Sequence, residues 1–183
     1  NEEFELFAQP IIDFEGRERP MYEVFLRMRA SDGSLIAPGA FLPVAERHDL
    51  IQSIDAWVFS EAITILAERG GPGAEFGVCV NLSGRSVGDP RLVDLISSRL
   101  RETGVDPSRL VFEVTERESS VEFRDVSRII TLLREVGCSC AIDDFGAGYG
   151  GFDHLKDMAF DIIKVDGRFI EGLAHSPVDR AIT

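Results

Sequence analysis

A chain of 183 residues, 44% of them hydrophobic, has the length and apolar content of one domain with a sizeable core. Its formal net charge of -13 excludes non-specific binding to a nucleic-acid polymer or an anionic membrane, because a surface that tracks phosphates needs clustered Lys and Arg. The sequence shows no signal peptide and no apolar run long enough to cross a bilayer, and its three cysteines, in apolar strand-like runs without metal-finger spacing, lead to the expectation of a reducing cytoplasm. It begins at Asn1 rather than Met, which suggests a domain excised from a longer multidomain protein whose parent is free to carry a membrane anchor.

Residues 4–12 alternate and then run apolar, predicting a first strand followed by a turn at Glu15-Gly16. Residues 22–28 form the second. A side-chain period of two puts Glu23, Phe25 and Arg27 on one face, either in a site or in a cross-strand ion pair. Helices are expected over residues 38–49 and 51–69, the second with a stripe of Ile51, Ile54, Val58, Ala62 and Ile65 and a stop at Gly70-Gly71. Residues 76–83 read as an apolar strand that ends in Asn81 and Ser83. Asp89 and Pro90 open the next helix as cap and first turn, and Leu92, Leu95, Ile96 and Leu100 carry it to Gly104. Residues 110–116 form a strand, and Val126, Ile129, Ile130, Leu133 and Val136 mark a helix stopped by Gly137. The strand that starts at Ser139 ends in Asp143 and Asp144, followed by Gly146 and Gly148. A helical segment over residues 151–158 then leads to a strand over residues 160–166.

Strands alternating with helices, most of them too apolar to face water, indicate a parallel sheet covered by helices. Glu23, Asn81, Glu113, Asp143, Asp144, Lys164 and Asp166 lie in or at the ends of successive strands. A doubly wound sheet gathers ligand groups near one switch point, whereas a TIM-type (β/α) barrel brings the carboxyl ends of all its strands to one mouth. A barrel is therefore the expected fold.

Adjacent carboxylates at a buried strand end each raise the cost of ionising the other. A hard divalent ion such as magnesium, calcium or manganese would relieve that; the bland alternative is a solvated Asp143-Asp144 at a loop mouth. Together with Glu23, Asn81, Glu113 and Lys164, the pair matches a two-metal hydrolase acting on a phosphate ester. The lysine would orient or deprotonate the attacking water, or neutralise charge on the phosphate. His48, His154 and His175 sit among polar residues and read as solvated, and Trp57 reads as core. Cys79, Cys138 and Cys140 lack metal-finger spacing and read as buried free thiols. Asn81-Leu82-Ser83 fits a glycosylation pattern in the wrong context, a strand end.

The stretches Gln9-Pro10-Ile11-Ile12, Tyr22-Glu23-Val24-Phe25-Leu26-Arg27, Phe41-Leu42-Pro43-Val44-Ala45-Glu46, Val80-Asn81-Leu82-Ser83, Phe112-Glu113-Val114-Thr115-Glu116, Asp143-Asp144-Phe145-Gly146-Ala147-Gly148-Tyr149 and Ile163-Lys164-Val165-Asp166 follow one another across nearly the whole chain. In that order they resemble the motifs of the EAL domain family, bacterial cyclic-di-GMP phosphodiesterases and related receptors. The resemblance implies a barrel whose first strand is antiparallel, a homodimer, flanking sensory or GGDEF-type domains, and hydrolysis of cyclic-di-GMP to linear pGpG with Mg2+ or Mn2+. It implies Glu23, Asn81, Glu113, Asp143 and Asp144 as metal ligands, with Asp143 the bridge, and catalysis by Glu23, Asp143 and Lys164, the lysine acting on the nucleophilic water. Arg27 would hold a phosphate, Gln9 would lie near a guanine, and Phe25 and Asp166 would line the substrate. Glu116, with Phe145 and Gly146, would steady the loop over residues 144–150 that couples the metal site to a dimer interface.

Several positions depart from the family. The signature Glu-Ala-Leu reads Glu23-Val24-Phe25, with Phe25 on the face of Glu23. Ala147 replaces a usual Thr or Ser, Gly150-Gly151 replace small polar residues and loosen the loop, and Gly167 stands where Arg is usual. The family's later Ala-Glu-Gly and Gln-Gly strands are missing, so one barrel domain over residues 1–183, truncated before its last two strands, is expected. Such a barrel would expose apolar strand edges and be a poor catalyst. The alternative is a catalytically weak or inactive domain that acts as a cyclic-di-GMP receptor; a scaffold without nucleotide is the blandest reading.

Overall fold

The structure is a computed structural model in which residues 4–14, 16, 19–70, 75–117, 123–146, 158–176 and 180 are described. Seven strands form one sheet: β1 (Phe4–Ile11), β2 (Met21–Arg29), β3 (Leu35–Ile36), β4 (Gly77–Asn81), β5 (Leu110–Thr115), β6 (Ser139–Phe145) and β7 (Ile162–Val165). The order is β1-β2-β4-β5-β6-β7, with the short β3 beside β2. β1 is antiparallel to β2, and every later step, β2 to β4 through β6 to β7, is parallel. Parallel neighbours need crossovers, which here run through the helices Ile51–Arg69, Pro90–Thr103 and Phe123–Val136.

The alternation of the strands divides the core in two. Outward-facing Val24, Val78, Val80, Leu110, Phe112 and Val114 pack against Phe59, Ile63, Ile96 and Ile130 of the helices in one large cluster. The opposite face carries a much smaller cluster, Cys79, Val111 and Ala141, with Met21 and Ile162 packed on it. All three cysteines are free and buried.

The helix signals act as expected at several ends. Asp89 caps its helix by accepting from Arg91 N at 3.0 Å, and Gly104 ends it in the left-handed region at φ 70. Helix Pro38–Arg47 stops short of the expected Asp49, and β4 and β7 are shorter than their apolar runs. On Ile51–Arg69 the expected Ile51, Ile54, Val58 and Ala62 are buried, and Phe59, Ile63 and Leu66 join them in place of Ile65, because this helix packs against both β4 and the helix Pro90–Thr103 and so buries a broad face. β3 and the short helices Gly84–Val87 and Gly167–Gly172 were not expected. The expected helix over residues 151–158 lies outside the described residues except for the buried Met158, as do Glu15, Gly71, Ala147 and Gly150-Gly151. β1 and β7 stand at the two ends of the strand order and carry exposed Phe7, Ile11 and Ile163. Among the described residues no helix is long and apolar enough to cross a membrane.

One buried arginine holds the end of the long helix. Arg109 donates through Nε to the Phe76 carbonyl at 2.8 Å, through Nη2 to Leu66 at 3.2 Å and through Nη1 to Gly70 at 3.4 Å. The last carbonyls of a helix have no partner within it, and here a guanidinium supplies donors. A Cβ on Gly70 would overlap that guanidinium. Replacing Arg109 with leucine strips those carbonyls of buried donors and should cost roughly 2–4 kcal/mol in urea unfolding. A cost below about 0.5 kcal/mol would mean that water replaces the arginine freely.

Candidate active site

Along five strands the inner face changes from apolar to polar two residues after its apolar floor. Glu23 follows Met21, Asn81 follows Cys79, Glu113 follows Val111, Asp143 follows Ala141 and Lys164 follows Ile162. A period of two keeps each polar residue on the face of its apolar predecessor, so the site stands on a small dry floor at the carboxyl ends of the strands.

Lys164 is the centre. Its Nζ donates to Glu113 Oε2 at 2.7 Å and to Glu23 Oε2 at 3.0 Å, and lies 3.2 Å from Asp143 Oδ1. Between β2 and β7 lie β4, β5 and β6, so a flat sheet would hold their backbones roughly 19 Å apart. The Glu23–Lys164 contact therefore requires the sheet to coil into the curvature of a barrel.

Glu23, Glu113 and Asp143 each offer an oxygen within 4.8 Å of the others. Glu113 is 1% exposed, and its Oε1 is buried without a hydrogen-bond donor among the described residues. A buried acceptor left in that state is costly, and a cation on that side would satisfy it. An all-oxygen, strongly anionic donor set suits a hard divalent ion, so the residues fit the metal that the sequence implies. Burial pushes the Glu113 carboxyl up, and Lys164 opposes that shift. Burial also works against the charge of Lys164, but hydrogen bonds to Glu113 and Glu23 outweigh it and raise the ammonium above the ordinary lysine value.

The other expected site residues divide. Asn81 pairs in register with Glu113 and is exposed at the end of β4, while Gln9 of β1 lies opposite Glu23. Arg27 sits with its guanidinium carbon 5.9 Å from the ring centres of both Phe7 and Phe25, with Nη1 donating to the Leu26 carbonyl at 2.8 Å. Asp144 is exposed, with a positive φ of 53, inside an irregularity of the β6–β7 register between Ile142 and Phe145. The bulge frees it from strict alternation, but it stands outside the three-carboxylate cluster. Burial, then Asp143 and Asp166, raises its carboxyl.

Asp166 is engaged as the cap of helix Gly167–Gly172, accepting from Arg168 N at 2.8 Å and from its Nε at 3.1 Å. Those bonds hold its carboxyl below the usual range. Buried Glu116 accepts from Gly146 N at 2.8 Å, and buried Phe145 accepts through its carbonyl from Asp166 N at 3.1 Å. Phe169 packs so closely on Gly146 that a Cβ there would meet the ring at 2.5 Å. These contacts tie the residues just after Asp144 to the segment that follows β5 and to helix Gly167–Gly172.

Sequence reasoning passed over Cys79 as a site neighbour. Burial, then the charge of Glu113, pushes its thiol up to about 12. Its position two residues before Asn81 was the signal.

The chain matches the EAL domain family over residues 1–183. It is 35% identical over 179 residues to the cyclic di-GMP phosphodiesterase PdeF of Escherichia coli, covering 98% of this chain and 24% of that protein. To the bifunctional diguanylate cyclase/cyclic di-GMP phosphodiesterase MucR of Pseudomonas aeruginosa it is 37% identical over 164 residues, covering 87% of this chain and 24% of MucR. The EAL domain of FimX from Pseudomonas aeruginosa, in a crystal structure with c-di-GMP bound, aligns with a TM-score of 0.90 at 30% identity, over 98% of this chain and 72% of that one. The chain thus spans 24% of the length of these two curated relatives.

Proposed function

This chain belongs to the EAL domain family, and we propose that its strand-end cluster hydrolyses cyclic di-GMP to linear pGpG with Mg2+ or Mn2+ held by Glu23, Asn81, Glu113, Asp143 and Asp144. The observation that carries this reading is the convergence of Glu23, Glu113 and Asp143, from three strands, on Lys164. When bound, divalent ions supply Lewis-acid stabilisation of phosphate oxygens and a water acidic enough to attack near neutral pH.

The chain's own residues do the rest. Lys164, whose ammonium reaches Glu113, Glu23 and Asp143, would orient the attacking water and neutralise charge on the phosphate. Arg27, steadied by the Phe7 and Phe25 rings on the face of Glu23, would hold a phosphate. Gln9, across from Glu23, is assigned to a guanine edge. Asp166 supports the site as a helix cap, and Glu116 through Gly146. A homodimer and flanking sensory or cyclase-type domains belong to the same proposal, the latter in keeping with the 24% of PdeF and of MucR that this chain spans.

The test is hydrolysis of cyclic di-GMP by the parent-length domain, followed by chromatography of pGpG, with Mn2+ or Mg2+ and then with chelator. Product should form with metal and fall to background without it. Binding of cyclic di-GMP with no product under either condition would replace the enzyme reading with that of a receptor.

A further inference from the structure

Asn81 is exposed at the mouth, so its aim depends on the backbone that carries it. That backbone is tied on both sides. Leu82, 2% exposed, donates its N–H to the Glu113 carbonyl at 2.8 Å. On the other side, Ser83 Oγ donates to Asp55 Oδ2 of helix Ile51–Arg69 at 2.5 Å, and Gln52 Nε2 of the same helix donates to the Arg85 carbonyl at 3.1 Å.

Ser83 stands at the N-cap of helix Gly84–Val87, yet its side chain makes no cap bond. A serine there ordinarily accepts from the first turn of its own helix. Here the hydroxyl is turned toward Asp55, with Ser86 Oγ at 3.3 Å as its second neighbour and Ser86 itself buried. A local cap has been exchanged for a charge-assisted bond between elements 28 positions apart.

Resting on the metal-site reading above, we propose that Asp55 is a positioning residue for Asn81: through Ser83 it fixes the end of β4 so that the Asn81 amide meets the cation held by Glu113. Asp55 does not touch the ion. Partners one shell out from a metal typically change its affinity 10–100-fold when removed.

The experiment is a double-mutant cycle on Mn2+ affinity by calorimetry, with no nucleotide present. Asp55→Ala and Ser83→Ala should each weaken Mn2+ binding roughly tenfold. Asp55→Asn, which keeps an acceptor, should recover most of that loss. Combined with Asn81→Ala, neither should weaken binding beyond Asn81→Ala alone, because both act through the same ligand. Ser83→Ala removes a single hydroxyl and carries the test if Asp55→Ala does not fold. Losses that multiply with Asn81→Ala, or unchanged affinity in Ser83→Ala, would overturn the proposal while leaving the metal site standing. Absence of Mn2+ binding to the unmutated chain would overturn both.

Discussion

Replacing Glu23 with alanine should reduce metal-dependent hydrolysis of cyclic di-GMP on the order of 1000-fold, the scale of losing a preorganised electrostatic contact at a reacting centre. Glu23 is one corner of the three-carboxylate cluster, so its removal takes away a ligand oxygen and a partner of Lys164 together. Its side chain is 16% exposed, and Lys164 keeps Glu113 and Asp143 as partners, so the fold should lose little. The check is pGpG formation alongside a Mn2+ titration and an unfolding curve of the same variant. Hydrolysis at the unmutated rate would remove Glu23 from the metal site, and a large drop in stability would make lost activity uninformative.

Replacing Lys164 with methionine should separate two quantities that fall together in Glu23→Ala. Hydrolysis should drop on the order of 100-fold, since the donor facing the phosphate is gone. Mn2+ binding should survive and tighten by roughly tenfold, because the ammonium and a divalent ion contend for the same three carboxylates and repel each other at close range. Methionine keeps the length and apolar stem of lysine, which limits the cavity left above Ile162. Calorimetry with Mn2+ and chromatography of pGpG read the two effects independently. Loss of metal binding in Lys164→Met would show that the lysine organises the ligands rather than acting on substrate.

Much of this site was legible in the sequence because its polar residues interrupt or end otherwise apolar strands. Glu23, Asn81, Glu113, Asp143 and Lys164 could be gathered at one mouth from their places at the carboxyl ends of successive strands, and the structure adds that each stands two residues beyond a common apolar floor. The antiparallel first strand came only from the family resemblance, since β1 and β2 carry no local sign of direction. Asp144 was less legible: alternation points it away from Asp143, and the bulge and positive φ that re-aim it arise from how β6 meets β7. The cap that Asp166 makes was not legible, because helix Gly167–Gly172 has six residues, too short to show a period. The Asp55–Ser83 bond and the Arg109 clamp span 28 and up to 43 positions, and nothing in the local pattern at either end announces them.

The contact between Glu23 and Lys164 joins residues 141 positions apart. Long-range closures of this kind are completed late in folding, after the local units they join. The site is therefore complete only once β7 has docked on β6 and brought Lys164 to the three carboxylates, so on refolding the return of hydrolysis should lag behind the return of helical signal.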